Sequence, residues 1–268
     1  MPLTELMHYF NDQLQSQARS QRLPATGFYK AGNVYGARFG SLTFSSQFHP
    51  IIQPREDGIT GFYSELIARS VTGKQFSLDE VFHSLENTEQ VVHLDRLTRT
   101  LHSLNYLQQY DNRDLLALAV QPGHITGVAG DHGKTFEGIL SDCGLGPDRV
   151  LLHTRLLDET SLAHFRQALL NYRSRGYRIG ITIENPADVK LLEQLDLEPD
   201  AIFYRLPEAN AAALPRSKSS SDTALAKRIV VGDIRGLDNK HSENFDGMIS
   251  LKQSFENAEI FNPLKALT

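Results

Sequence analysis

Beyond residue 40 the apolar positions come in short solid blocks rather than in alternation. Residues 115–120, 150–153, 178–182, 201–205, 228–231 and 245–251 are such blocks, the pattern of strands buried on both faces of a parallel sheet. Two earlier runs, residues 43–52 and 61–68, are strand-like as well. Between the blocks the period lengthens. Val91, Leu94, Leu97, Leu101, Leu104 and Leu107 recur every three or four residues, as do Leu162, Phe165, Leu169 and Tyr172. Each stretch predicts a helix with one stripe turned inward. Asn185-Pro186 supplies an N-cap and a proline for the first helical position ahead of Val189, Leu192 and Leu195.

Eight strands with interleaved helices in about 220 residues predict an α/β fold, a (β/α)8 barrel. The first two strands are joined by only a short link around Glu56-Asp57-Gly58, too short for a parallel crossover, so the first strand is expected to run antiparallel. Ahead of it, Leu3, Leu6, Phe10 and Leu14 share one stripe of a helix that ends before Pro24. Two strand-like runs, residues 28–30 and 34–39, flank Gly32-Asn33 as a hairpin. The expected division is an extension over residues 1–43 and the barrel over residues 44–268. The apolar stripe of the first helix must be covered: either the helix and hairpin cap the barrel, or the stripe serves a partner or a second copy of the chain.

Composition narrows the class. With 40% hydrophobic and 22% charged residues among 268, the chain is an ordinary globular sequence. No run approaches the roughly 18 apolar residues of a membrane span, and the start carries no charged-then-apolar signal pattern. The single cysteine, Cys143, has no internal partner, which suits a reducing cytoplasm. A net charge of -5 argues against a broad nucleic-acid surface.

The run Phe48-His49-Pro50-Ile51-Ile52, followed by Gly61-Phe62-Tyr63-Ser64-Glu65-Leu66-Ile67-Ala68-Arg69, resembles the opening of the EAL family. Members of that family hydrolyse the bacterial messenger cyclic di-GMP with acidic residues that hold Mg²⁺ or Mn²⁺ at the strand ends. The resemblance runs over residues 44–264, strong in element order and weak in motif identity. It implies a barrel of the EAL type, whose first strand is antiparallel, with a vestigial site.

Glu65 matches the first metal ligand of the Glu-Ala-Leu-x-Arg motif, Leu66 replaces its alanine, and Arg69 matches the arginine that helps bind nucleotide phosphate. Gln121 stands for a metal-binding asparagine, His153 for a glutamate, and Thr182 and Ile183 for an aspartate pair. Phe203 stands for the lysine general base, Arg205 for an aspartate and Asp233 for a glutamate, while His49 replaces the glutamine of a Gln-Pro-Ile run. A divalent cation at such a site needs several hard oxygen ligands, and imidazole is a softer one. Loss of the general base alone removes about 10²–10⁴-fold in rate.

The resemblance therefore implies a catalytically inactive EAL-like regulator that works through a protein contact in cyclic di-GMP-related signalling, such as motility or biofilm control, with no cofactor. Two alternatives stand beside it. One is a non-hydrolysing receptor that binds cyclic di-GMP weakly and without metal through His49, Leu66, Arg69 and Arg205. The other is an enzyme with residual or altered phosphodiesterase chemistry. A transition-metal site on His49, His124 and His153 lacks the paired spacing such sites use.

Overall fold

The computed structural model describes residues 3–53, 59–110, 114–128, 130, 138, 140–141, 144–205, 226–232 and 245–251. The expected turn at residues 56–58, Cys143 and Asp233 lie outside these residues. The strands are β1 (Thr26–Ala31), β2 (Val34–Phe39), β3 (Leu42–Ile52), β4 (Ile59–Ser70), β5 (Gln75–Phe76), β6 (Leu115–Ala119), β7 (Val150–Arg155), β8 (Arg178–Ile183), β9 (Ala201–Arg205), β10 (Lys227–Gly232) and β11 (Gly247–Ser250). The helices used below are α1 (Leu3–Gln21), α2 (Leu78–His83), α3 (Thr88–Gln109), α4 (Pro122–Gly127), α5 (Leu162–Ser174) and α6 (Pro186–Gln194).

Eight strands close a barrel in the order β3-β4-β6-β7-β8-β9-β10-β11. Every neighbouring pair from β4–β6 to β10–β11 is parallel. β3 runs antiparallel to both of its neighbours, and closure is made where Met248 faces Ile52. The expected barrel and its antiparallel first strand are both present. Interior and exterior alternate along each strand. Ala117, Leu151, Ala201, Phe203, Ile229, Val231 and Ile249 share the inner core. Leu116, Leu118, Val150, Leu152, Ile179, Ile181, Ile202 and Val230 face outward into a second core with Phe165 and Leu169 of α5. α6 begins as its sequence predicts, with Asn185 capping the backbone N–H groups of Ala187 and Asp188.

β3 and β4 outrun the barrel. Their ladder extends from Ile52↔Ile59 to Leu42↔Ser70. β6 pairs only with Gly61, Phe62 and Tyr63 of β4. The remainder carries β2 on one edge and β5 on the other, with Ala37 facing Phe44 and Ala68 facing Phe76. Because β4 runs with the parallel strands, this arm projects past their C-terminal ends and places a second lobe beside the barrel mouth. In the lobe, Leu6 and Phe10 of α1 are buried against Phe28, Tyr35, Phe39 and Phe44, together with Leu94, Leu97, Leu101 and Leu104 of α3. The stripe is thus covered by the chain's own sheet and helix, not by a partner or a second copy. The reason is the length of the β3–β4 arm, which gives α1 a sheet to lie on.

Two asparagines finish the strand edges. Where β3 leaves β2 to enter the barrel, Asn105 of α3 takes the vacated slot: its Oδ1 accepts the N–H of Tyr35 (2.7 Å) and its Nδ2 donates to the carbonyl of Tyr35 (2.8 Å) and to Ser46 Oγ (3.2 Å). At the outer edge of β1, Asn11 of α1 does the same for Phe28, accepting its N–H (2.5 Å) and donating to its carbonyl (2.9 Å). A buried backbone group left unpaired is costly, and each amide satisfies two.

Candidate functional site

The period of two along each strand carries specific residues up to the mouth. On β7 the inward positions are Leu151, His153 and Arg155, and on β9 they are Ala201, Phe203 and Arg205. On β8 they are Gly180 and Thr182, with Glu184 next in the series; Tyr63 and Glu65 rise together on β4. They converge on a cleft of ≈ 310 Å³ whose lining includes Glu65, Gln121, His153, Arg155, Thr182, Glu184 and Arg205. Clefts at the C-terminal ends of barrel strands are where this architecture places its chemistry.

A layer of rings forms beneath the opening. His153 stacks on Tyr63 with centroids 5.1 Å apart and tilts against Phe203 at 4.9 Å. The layer closes because residue 180 is glycine: a Cβ there would lie 2.8 Å from both His153 Cβ and Phe203 Cε2. His153 is buried, and its Nδ1 faces Thr182 Oγ1 at 3.2 Å. Burial, helped by the nearby charge of Arg205, drives its pKa down to about 3, so the ring is neutral at physiological pH. Burial also raises the pKa of the Tyr63 hydroxyl, against the opposing pull of Arg205.

Glu65 pairs with His49. Its Oε2 is bonded to His49 Nε2 at 2.8 Å, and His49 Nδ1 lies 3.0 Å from the carbonyl oxygen of Ser250. A carbonyl only accepts, so Nδ1 is the donor in that bond. His49 is therefore a buried strut between β4 and β11 rather than a group presented to a ligand. Arg69 sits farther out on the arm, facing Thr43 and Gln75 across the ladder, and does not reach the cleft. Leu66 lies on the cleft wall and is otherwise buried in the lobe core. Phe203 is floor, not lining. Gln121 lines the cleft as the N-cap of α4, with Pro122 behind it.

Sequence reasoning missed two groups. At the rim, Arg155 binds Asp79 of α2 (3.0 Å) and Glu184 (3.2 Å), while Arg205 stands 3.7 Å from the same Glu184. Arg155 was readable as the next inward position after His153. In the cleft wall, Asp95 of α3 is bonded to Arg99 Nη2 (2.6 Å), lies 3.0 Å from His124 Nδ1, and accepts the backbone N–H of Gln121 (2.8 Å). Burial pushes its pKa up, but Arg99, His124 and the Gln121 N–H outweigh that and hold it at about 2. Burial correspondingly lowers the His124 pKa against the pull of Asp95. His49, His124 and His153 thus serve three separate clusters, and among the described residues no group of three His, Cys, Asp or Glu side chains is arranged to hold a metal ion.

No protein-family model matches the chain, and no curated protein is similar to it in sequence. Solved structures are similar in fold. BlrP1 of Klebsiella pneumoniae, in complex with calcium and cyclic di-GMP, is 18% identical with a TM-score of 0.55, over 78% of this chain and 54% of that one. A standalone EAL protein of Vibrio cholerae O395, bound to cyclic di-GMP, is 11% identical with a TM-score of 0.58, over 77% and 89%. YkuI of Bacillus subtilis, a protein with an EAL domain in complex with cyclic di-GMP and calcium, is 17% identical with a TM-score of 0.53, over 76% and 53%. The chain spans about half the length of BlrP1 and YkuI. Its fold is the EAL barrel. Among the described residues no helix is long and apolar enough to cross a membrane.

Proposed function

We propose that this chain is an EAL-fold regulator that does not turn over cyclic di-GMP and acts by contact with another protein in signalling linked to that messenger. The observation that carries the reading is the ring layer of Tyr63, His153 and Phe203. It fills the place where the resemblance implies a metal ion and a lysine base. A phenyl ring offers a divalent cation nothing, and a buried neutral imidazole offers one soft donor where hard oxygens are required. Glu65, the implied first ligand, is engaged by His49.

In this reading residues 1–43 are an extension and residues 44–268 the barrel, working in the cytoplasm. The lobe gives a partner a surface beside the mouth. The link to cyclic di-GMP rests on the solved structures of the same fold that hold it and is an argument from analogy. A second reading, reception of the messenger without turnover, is favoured by Arg155 and Arg205, cations at the cleft rim.

The test is incubation of the purified chain with cyclic di-GMP and Mg²⁺ or Mn²⁺. Linear dinucleotide is expected to stay at the level of a metal-free blank. Metal-dependent product that disappears in Glu65→Ala would overturn the reading.

A further inference from the structure

We infer that the groove between the end of α1 and the start of β1 takes the C-terminal residue of a partner chain, which pairs with Thr26 and presents its carboxylate to Arg19 and Arg22. The inference rests on the proposal that this protein acts by contact with another protein, and names the part of that partner it holds.

The first support is a strand edge closed at one residue and open two residues away. In the ladder with β2, Thr26, Phe28 and Lys30 turn their backbone groups to the outer edge of β1. Asn11 takes both groups of Phe28, and Lys30 is exposed to water. Thr26 is only 8% exposed, and its hydroxyl is spent on the carbonyl of Arg38. Among the described residues no hydrogen bond reaches its outward N–H and carbonyl. Gln15, one helical turn beyond Asn11, lines the groove without closing that gap. Backbone groups in so buried a residue are rarely left without a partner.

The second support is charge. The groove measures ≈ 500 Å³, and Arg19 and Arg22 are the charged residues of its lining. Among the described residues neither forms an ion pair, in a chain whose net charge is -5. The end of α1 contributes a partial negative charge of about one half, which two full cations exceed. The surplus suits a carboxylate, the anion that a guanidinium fork matches best among protein groups.

The third support is the backbone of Arg22. The N–H of Leu23 bonds the carbonyl of Ala18, which makes position 22 the residue just past the helix, where glycine is favoured. Arg22 stands there with φ of 54°, a conformation glycine adopts without steric cost. The chain keeps a guanidinium at the groove at the expense of an easier helix end.

The edge also selects the occupant. A strand running along β1 meets Asn11 at Phe28, so a single residue can pair and the chain must then leave the edge. A C-terminal residue supplies an N–H for the Thr26 carbonyl, one carboxylate oxygen for the Thr26 N–H and a second oxygen for the arginines. An acidic side chain has no N–H to offer and leaves the carbonyl unanswered.

The experiment is calorimetric titration of the full chain with the peptide Ser-Gly-Ala-Val-Val as the free acid and as the C-terminal amide. The free acid is expected to bind, and the amide to bind at least about tenfold more weakly, the effect of losing a charge-assisted bond. Arg19→Gln and Arg22→Gly are each expected to weaken the free acid about tenfold and to leave the amide unchanged. Arg22→Gly is also expected to raise Tm by about 2–4 °C, so that its lost binding is read on a more stable fold. Absence of binding by the free acid at millimolar concentration, equal binding of acid and amide, or indifference to both arginine substitutions would each overturn the inference. Metal-dependent cleavage of cyclic di-GMP would instead remove the reading beneath it and leave the peptide result standing.

Discussion

Two arginine–carboxylate clusters stand within one wall of each other and differ in everything but chemistry. Arg99 and Asp95 meet at 2.6 Å with both side chains 1% exposed, locked by His124 and by the backbone of Gln121. Arg155, Asp79, Glu184 and Arg205 meet at 3.0–3.7 Å in contact with solvent. Removing one member of the inner cluster strands a charge away from water, whereas the outer members can trade partners. The inner cluster therefore fixes α3 and α4 to the barrel, and the outer one is held by solvated pairs of little worth. Identical residue types hold the structure firmly or loosely according to burial alone.

Acid gives the largest test of the interior. His93 is buried with its pKa lowered to about 4, and His102 and His153 are buried with theirs lowered to about 3, in each case chiefly by desolvation. The unfolded chain takes up protons near pH 6.5 that the folded chain refuses. Stability is therefore fully present above pH 6.5 and is lost as pH falls from there toward 4 and 3. Between pH 7 and pH 5 this is about 2 kcal/mol for each ring, on the order of 5 kcal/mol for the three. Urea denaturation at the two pH values measures it, and a flat profile would refute the burial of these rings as neutral groups.

The second test breaks the inner cluster directly. Asp95→Asn takes the buried carboxylate away from Arg99 and is expected to cost about 3–5 kcal/mol in chemical denaturation. The matching change outside, Asp79→Asn, is expected to cost no more than about 1 kcal/mol. Similar losses for the two would erase the distinction between the clusters.

How far the sequence carried can be read on single elements. β9 was found to the residue, residues 201–205 becoming Ala201–Arg205, because a strand covered on both faces leaves a solid apolar block. Of the positions that the resemblance implies on β7, β8 and β9, His153, Thr182 and Arg205 line the cleft. α3 was half legible. Its apolar stripe was clear, but from His93 to Tyr106 every residue except Arg96 is buried, including Asp95, Arg99, His102 and Asn105. Nothing local in the sequence marks Asp95 and Arg99 as buried, because nothing announces that a second lobe covers that face. The same gap left the cover of α1 open, although its stripe was correct. That His49 lies against Glu65 was not legible, because pairing across β3 and β4 depends on a register that spacing alone does not specify.

One amide closes one position of a sheet edge. A β-strand at an edge is a template on which further strands can add without limit, within one molecule or between many. β1 is such an edge, and at Phe28 its outward N–H and carbonyl are already taken by Asn11. The side chain behaves as a chain terminator, a strand one residue long that offers nothing to the next. A further strand laid against β1 would find no free backbone group at Phe28.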